Sequence, residues 1–260
     1  MSIHRILGIF FRYFYVLRKG PHQLADLFYW PLIDILLWGL TSVWIQNQDL
    51  NPKFSLILMT ALVFWQIVLR GSLDISVSIL QEFWHRNLVN LFSTPVKINE
   101  WTLGVILFGL MKLLVSITFG ISTVYFLYSL NVLTIGWKFI PFATSLLTFG
   151  WTLGFLSASL IIYWGHKVEV FAWTSALLFA PFSAIFYPVS ILPYWAQMVS
   201  WCLPTTYIFE GMRSILHTGS VPEYYFWVSI ALNSIYLTLS VSLFKYMFEK
   251  SRVKGLARLE

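Results

Sequence analysis

Four ionisable side chains interrupt long apolar runs, where an unpaired charge inside a membrane costs at least a few kcal/mol. They are Asp34, Arg70, Asp74 and Lys112. Arg70 and Asp74 are four residues apart, so we expect them to share a helix face and neutralise each other. Asp34 could join them in a cluster on the cytoplasmic side, whereas the helical rise places Lys112 near the bilayer midplane. Such groups can pair structurally, or they can bind a substrate headgroup or form a gate, for which Lys112 is the best candidate. No chain of carboxylates suggests a proton relay.

A second polar feature is the segment 80–100, where Glu82, Arg86 and Asn90 recur at helical spacing between apolar residues. Thr94-Pro95 ends this pattern, as prolines end helices. We predict a short amphipathic helix over 82–92. It could dock into the groove of a partner, or it could be a solvated loop that rests on lipid headgroups.

The third feature is a broken apolar stretch over 180–213, which Pro188, Pro193 and Pro204 divide and which ends on Glu210 and Arg213. Neither apolar piece reaches the roughly 20 residues of a membrane span. Broken backbone at membrane depth needs protein or a water-lined cavity to satisfy its polar groups. We therefore predict a re-entrant segment over 188–212 that lines a path for a substrate.

Composition sets the class of the protein. The chain has 260 residues, of which 58% are hydrophobic and 11% charged, against about 25% charged in soluble domains; its mean hydropathy is +0.73. We expect a polytopic all-α membrane protein. Its single cysteine excludes an intramolecular disulfide. The net charge of +6 is concentrated near both ends, which favours membrane topology over nucleic-acid binding.

We predict one transmembrane domain over residues 1–260, with six spans at 27–46, 54–79, 101–128, 137–164, 169–187 and 224–247. An amphipathic stretch over 3–20 precedes them and ends at Gly20-Pro21; we expect it to lie in the membrane interface. The alternative is the start of a long first span, with Arg12 and Arg18 reaching towards the interface. With both termini inside, the cytoplasmic segments carry 12 Lys and Arg and the outer segments 3, which supports this orientation.

Two motifs, in this order, resemble the permeases of type-2 ABC exporters. The run EFWHRNLVNLFSTPV over 82–96 is similar to their coupling-helix region. The runs FYPVSILPYW, LPTTY and EGMR over 186–213 are similar to the re-entrant segment after their fifth span. The six-span layout, the interfacial helix and the cytoplasmic termini also match that family.

The resemblance implies a permease in a bacterial inner (plasma) membrane, with two ATPase subunits that carry ATP and Mg. A second permease copy completes the complex, and we favour a homodimer over a heterodimer. The substrate would be an amphipathic or hydrophobic drug, lipid or glycan that moves outward. The residues implied in coupling to the ATPase are Glu82, Phe83, Arg86, Asn87, Leu88, Leu91, Thr94 and Pro95. Those implied in the exit region are Pro188, Pro193, Tyr194, Trp195, Pro204, Glu210 and Arg213.

We expect the chain itself to be a transport subunit without enzymatic activity, cofactor or metal. It has no phosphate-binding G-x-x-x-x-G-K-[ST] loop, since Leu110 follows the pair Gly104 and Gly109 and Lys112 comes too late. Its histidines show no metal-ligand spacing. Two alternatives stay open: an ATP-independent transporter or channel, and an intramembrane lipid-modifying enzyme.

Overall fold

A computed structural model describes residues 1–46 and 53–253 of the chain, and the described residues form α-helices and 3-10 turns without a strand. The helices are α1 Ile3–Lys19, α2 Pro21–Gln46, α3 Phe54–Trp84, α4 Leu88–Ser93, α5 Ile98–Tyr128, α6 Phe139–Trp164, α7 Val170–Phe179, α8 Tyr194–Trp201, α9 Pro204–Thr218 and α10 Glu223–Val253. Residues 47–52, which belong to the predicted outer segment 47–53, and the basic residues Lys254 and Arg258 lie outside the described part.

Five helices in the described residues are long and apolar enough to cross a membrane: α2, α3, α5, α6 and α10. The all-α class and the presence of several membrane-length helices are therefore confirmed. The helix at the predicted fifth span, 169–187, is shorter: α7 and a following 3-10 turn together cover Val170–Phe182. Pro181 lacks the backbone N–H that would continue α7, and its ring clashes with the preceding turn. Ala184 then takes a left-handed φ of 56°, which a helix cannot include.

The two central helices are α3 and α6, and glycines bring their backbones together. A Cβ placed on Gly150 of α6 would lie 2.7 Å from the carbonyl oxygen of Val68 and 3.1 Å from the Cα of Gly71. Gly154 lies equally close to α3, at 2.8 Å from the carbonyl oxygen of Ser72. Close backbone approach through small residues is a common way for membrane helices to pack. The small-residue face of α6 is thus used within the chain.

The remaining long helices surround this central pair. α10 packs on α6 and α9, α5 packs on α3, and α2 packs on α3 and α5. α2 and α10 bury only a small share of their side chains, and Trp44 and Trp227 are among those that are exposed. Apolar faces of this size need lipid or another protein as their environment.

The amphipathic helix predicted over 3–20 is α1, and it is separate from α2. Gly20 between them is extended, with φ −100° and ψ 92°, so α1 is not the start of a long first span. The apolar face of α1 carries Ile6, Ile9, Tyr13 and Leu17, which are buried. That face packs along the first half of α5, where Gly104 leaves room for Ile9. α1 is therefore attached to the bundle by its apolar side.

Candidate functional site

The link between α3 and α5 differs from the single helix predicted over 82–92. α3 runs on to Trp84, so Glu82 and Phe83 belong to its last turn. Arg86 then adopts a left-handed φ of 48°, which costs roughly 1–2 kcal/mol for a residue with a side chain and interrupts the helix. The helix that follows, α4, covers only Leu88–Ser93. The helical spacing of Glu82, Arg86 and Asn90 therefore does not place them on one face.

Glu82 is the centre of a buried hydrogen-bond network. Its carboxylate is 1% exposed and accepts three side-chain hydrogen bonds. The donors are Arg12 Nη2 at 2.8 Å, Tyr13 Oη at 2.6 Å and Asn87 Nδ2 at 2.7 Å. Trp101 Nε1 in turn donates to Tyr13 Oη at 3.2 Å. One carboxylate thus joins α1, the end of α3, the turn before α4 and the start of α5.

The donors of this network keep their protons at physiological pH. Burial raises the pKa of Tyr13 well above its ordinary value, and the negative charge of Glu82 raises it further. Burial lowers the pKa of Arg12, but its hydrogen bond to Glu82 and the charge of Glu82 outweigh this, so its pKa lies above the ordinary value. A buried carboxylate with three such donors satisfies the requirement that buried charges be paired and hydrogen-bonded.

A second buried carboxylate, Glu100 in the first turn of α5, holds the chain that follows α4. It is 1% exposed and accepts from the backbone N–H groups of Ser2 at 2.8 Å and Lys97 at 3.0 Å. Arg5 Nη1 lies 3.5 Å from Glu100 Oε2 and donates to the carbonyl oxygen of Pro95 at 2.6 Å. The position also suits the positive end of the α5 dipole. α1 is therefore bonded to the chain before α4, at Glu82, and to the chain after α4, at Pro95 and Glu100.

The residues implied in ATPase contact divide into two sets. Glu82, Phe83 and Leu88 are buried, and Asn87 and Leu91 are partly buried, so their side chains serve the packing of the link. Arg86, Thr94 and Pro95 are exposed. The apolar side of α4 meets α10, where the ring centroids of Phe92 and Phe248 are 4.7 Å apart. We call the exposed surface of the link the α4 face, and it consists of Trp84, His85, Arg86, Asn90, Ser93, Thr94 and Pro95.

The intramembrane charges are arranged differently from the prediction. Asp74 forms its ion pair with Lys112 of α5, and not with Arg70. Gly109 makes this possible, since a Cβ there would lie 2.9 Å from the Asp74 carboxylate. Arg70 instead donates to the carbonyl oxygen of Asp26 on α2 at 2.7 Å.

Asp34, Arg70 and Asp74 therefore do not form the predicted cluster on the cytoplasmic side. Asp34 Oδ2 accepts from Gln66 Nε2 at 2.8 Å, so its hydrogen-bond partner is an amide. Asp34 and Arg70 each bond α2 to α3, and Asp74 bonds α3 to α5. Each polar contact joins neighbouring helices of the bundle.

The broken segment after α7 is held together by the pair Glu210 and Arg213, both on α9. Arg213 is 8% exposed and donates to the carbonyl oxygens of Ala184 and Ile185, the second at 2.9 Å. It also lies 3.3 Å from Glu210 Oε1, which accepts the N–H of Val189 at 2.7 Å. These two side chains fix the turn that leads from α7 to α8.

Hydroxyl groups donate to two further backbone carbonyl groups of this segment. Ser200 donates to the carbonyl oxygen of Phe182 at 2.6 Å, and Thr206 donates to that of Ser200 at 2.7 Å. Such internal bonds are what irregular backbone at membrane depth requires. Pro204 begins α9 in its first turn, whereas Pro193 directly precedes α8.

The exit-region residues do not meet at one point. Tyr194 and Trp195 at the start of α8 are exposed. Pro188, Glu210 and Arg213 line a cavity of about 340 Å³ between the turn after α7, α9 and the start of α3. The segment thus has a compact inner part around Arg213 and an exposed aromatic part on α8.

The chain matches no protein-family model and no curated protein at a significant level. The described ranges 1–46 and 53–253 also contain no group of three or more His, Cys, Asp or Glu that could hold a metal ion. Among the features above, the α4 face combines an exposed polar surface with rigid attachment to three helices. Sequence reasoning found its location and implied that the helix over 3–20 braces it, but it did not name Trp84, His85 and Ser93. It also did not name the bonding residues on α1, which are about 70 to 100 residues away along the chain.

Proposed function

We propose that this chain is the membrane-spanning permease subunit of an ATP-driven exporter of the ABC type. It would act as a homodimer in a bacterial inner membrane, with both termini in the cytoplasm. Two separate ATPase subunits would bind and hydrolyse ATP with Mg. The substrate would be an amphipathic or hydrophobic drug, lipid or glycan that moves outward.

The observation that carries the proposal is the attachment of the α4 face. A loop that merely rests on lipid needs no buried ties, yet the link is bonded through Glu82 at one end and Glu100 at the other. Both carboxylates also bond α1. A displacement applied to the α4 face would therefore move α1, α3 and α5 together, which is what transmission from an ATPase to the spans requires.

The broken segment supports the same proposal from the other end of the bundle. Arg213 and Glu210 hold a turn beside the start of α3, and the helical order places that end opposite the α4 link. In the proposed mechanism this compact segment shapes the exit. The proposed six spans are the five long apolar helices and the shorter helix that begins with α7.

The test uses the chain with an ABC ATPase encoded next to it in the genome. We expect the two to co-purify and the permease to alter the rate of ATP hydrolysis. Arg86→Glu, which reverses the exposed charge of the α4 face, should abolish both effects. Arg18→Glu is the matched control, since Arg18 is an exposed cation near the end of α1. Failure of the wild-type chains to associate, or equal effects of both variants, would overturn the proposal.

An ATP-independent transporter is the second candidate, and the ion pair between Asp74 and Lys112 is the observation that favours it. A carrier of this kind would use an intramembrane pair as part of its ion or substrate pathway. Transport by the chain alone in proteoliposomes, abolished by Lys112→Met but unaffected by Arg86→Glu, would support it over the ABC permease. Glu82 is unsuitable for this comparison, because its replacement would disturb the packing.

A further inference from the structure

A groove between α5 and α10 has the shape and polarity of a lipid-binding site. Its volume is about 390 Å³, and residues of α6 lie on its third side. α10 packs closely on α6, and α1 packs closely on α5. α5 and α10 have few contacts with each other, and the groove lies between them.

The polarity of the groove changes along its length. Asn99 and Thr102 of α5 and Lys245 of α10 line one end. Ile106 of α5 and Leu237 of α10 line the other end. At 1.5 Å per residue, Asn99 and Ile106 are about 10 Å apart along α5, and Lys245 and Leu237 are about 12 Å apart along α10. A polar group at one end and an apolar chain along the remainder would match this lining.

The floor of the groove is aromatic and apolar. Trp151 is partly buried and Phe155 is buried, and both come from α6. Phe244, next to Lys245, is also buried and packs against Phe155 with ring centroids 5.6 Å apart. The floor therefore offers a continuous apolar surface to an acyl chain.

The charge at the polar end is positive. Lys245 is exposed, whereas the acidic groups close to it in sequence or along α5 are engaged elsewhere. Glu249 pairs with Arg252 at 2.9 Å, and Glu100 is turned towards Ser2 and Arg5. Basic pockets between membrane helices on the cytoplasmic side bind anionic lipid headgroups.

We propose that this groove binds one anionic phospholipid of the cytoplasmic leaflet. Its phosphate would lie next to Lys245, and an acyl chain would lie over Trp151 towards Ile106 and Leu237. The lipid would brace the first turns of α5 against α10, beside the Glu100 tie to α1. The proposal rests on membrane insertion in the proposed orientation, and it is independent of any ATPase partner.

The experiment measures quenching of Trp151 fluorescence by phospholipids that carry bromine on an acyl chain. The full-length chain is reconstituted in vesicles of phosphatidylcholine with increasing brominated phosphatidylglycerol, or increasing brominated phosphatidylcholine. The difference between the wild-type protein and Trp151→Phe isolates the signal of this residue among the 13 tryptophans. We expect half-maximal quenching at a several-fold lower mole fraction of the anionic lipid than of phosphatidylcholine.

Lys245→Gln should reduce that preference about fivefold, the effect of one basic residue near a lipid surface. Lys250→Gln is the matched control, because Lys250 is also on α10 but lies over the rings of Tyr163 and Tyr246. Circular dichroism and gel filtration establish that each variant is folded. Retention of the preference in Lys250→Gln and its loss in Lys245→Gln would support the site.

Two results would overturn the proposal. Equal half-maximal quenching by both lipids would mean that only nonspecific annular lipid reaches Trp151. Efficient disulfide formation between two copies of Leu103→Cys, in a Cys202→Ser background, would mean that a second copy of the chain covers the groove. Neither result bears on association with an ATPase, so the two proposals fail separately.

Discussion

Replacing Glu82 by alanine tests whether this residue holds the α4 link in place or contacts a partner. The carboxylate is 1% exposed and accepts bonds from Arg12, Tyr13 and Asn87. Removing one member of a buried charged pair costs about 3–5 kcal/mol, because the remaining groups lose their partner in a place water reaches poorly. Arg12 is partly exposed and recovers some hydration, so we expect a loss of about 3 kcal/mol in the free energy of unfolding.

The assay is equilibrium unfolding in mixed micelles, followed by tryptophan fluorescence and circular dichroism. Glu82→Gln keeps an acceptor oxygen but loses the charge, so it should fall about halfway between the wild type and Glu82→Ala. Arg86→Ala is the control on the exposed α4 face and should change stability by no more than about 0.5 kcal/mol. In a double-mutant cycle, Arg12→Ala and Glu82→Ala should be strongly non-additive.

The reasoning would be refuted by a loss of less than about 1 kcal/mol in Glu82→Ala, or by additive effects in the cycle with Arg12. Either outcome would mean that the network does not connect α1 to the end of α3. The α4 link would then have to be held in place by contacts other than those of Glu82.

Three further substitutions test the packing. Gly150→Ala should lower the free energy of unfolding by about 1–3 kcal/mol, because its Cβ would lie 2.7 Å from a carbonyl oxygen of α3. Gly8→Ala is the control: a Cβ there has open space, so this variant should be neutral or stabilising in the same unfolding assay. Asp74→Asn should cost about 3–5 kcal/mol by leaving Lys112 unpaired, and adding Lys112→Met should restore most of it; a double variant as unstable as the single one would contradict the pairing. Arg213→Ala should release the turn after α7 and increase its cleavage in limited proteolysis, and an unchanged cleavage pattern would contradict the role of its two carbonyl contacts.

Local patterns in the sequence predicted the class and most of the helices. Apolar runs and amphipathic spacing depend only on neighbouring residues, so five membrane-length helices and the amphipathic α1 can be recognised from the sequence itself. The predicted fifth span was too long because its pattern continued through Pro181. The proline interrupts the backbone hydrogen bonds even though the side chains stay apolar.

The sequence predicted where the α4 link lies along the chain, but it did not predict the backbone or the bonds of the link. The spacing of Glu82, Arg86 and Asn90 is helical, yet the left-handed backbone at Arg86 ends the regular helix between them. Nothing in a local pattern indicates that Glu82 is bonded to Arg12 and Tyr13. Such contacts depend on how α1 is placed against the bundle, which is a property of the tertiary packing.

The partner of Asp74 also depends on tertiary packing, and the sequence pattern predicted it wrongly. Arg70 and Asp74 have the spacing of a helical pair, but the geometry of the neighbouring helices decides the partner. Gly109 lets Asp74 reach α5 and Lys112, and a carbonyl oxygen of α2 takes Arg70. The wrong prediction came from considering one helix in isolation.

The glycine contact between α3 and α6 also limits how the bundle can move. Because Gly71 and Gly150 meet backbone to backbone, sliding one helix along the other would bring a larger side chain into a gap that has no room for a single methyl group. α3 and α6 must therefore keep their register and travel as one rigid body. A change of conformation would therefore have to occur where α2 and α5 pack on this pair, because those contacts are less extensive than the contact between α3 and α6.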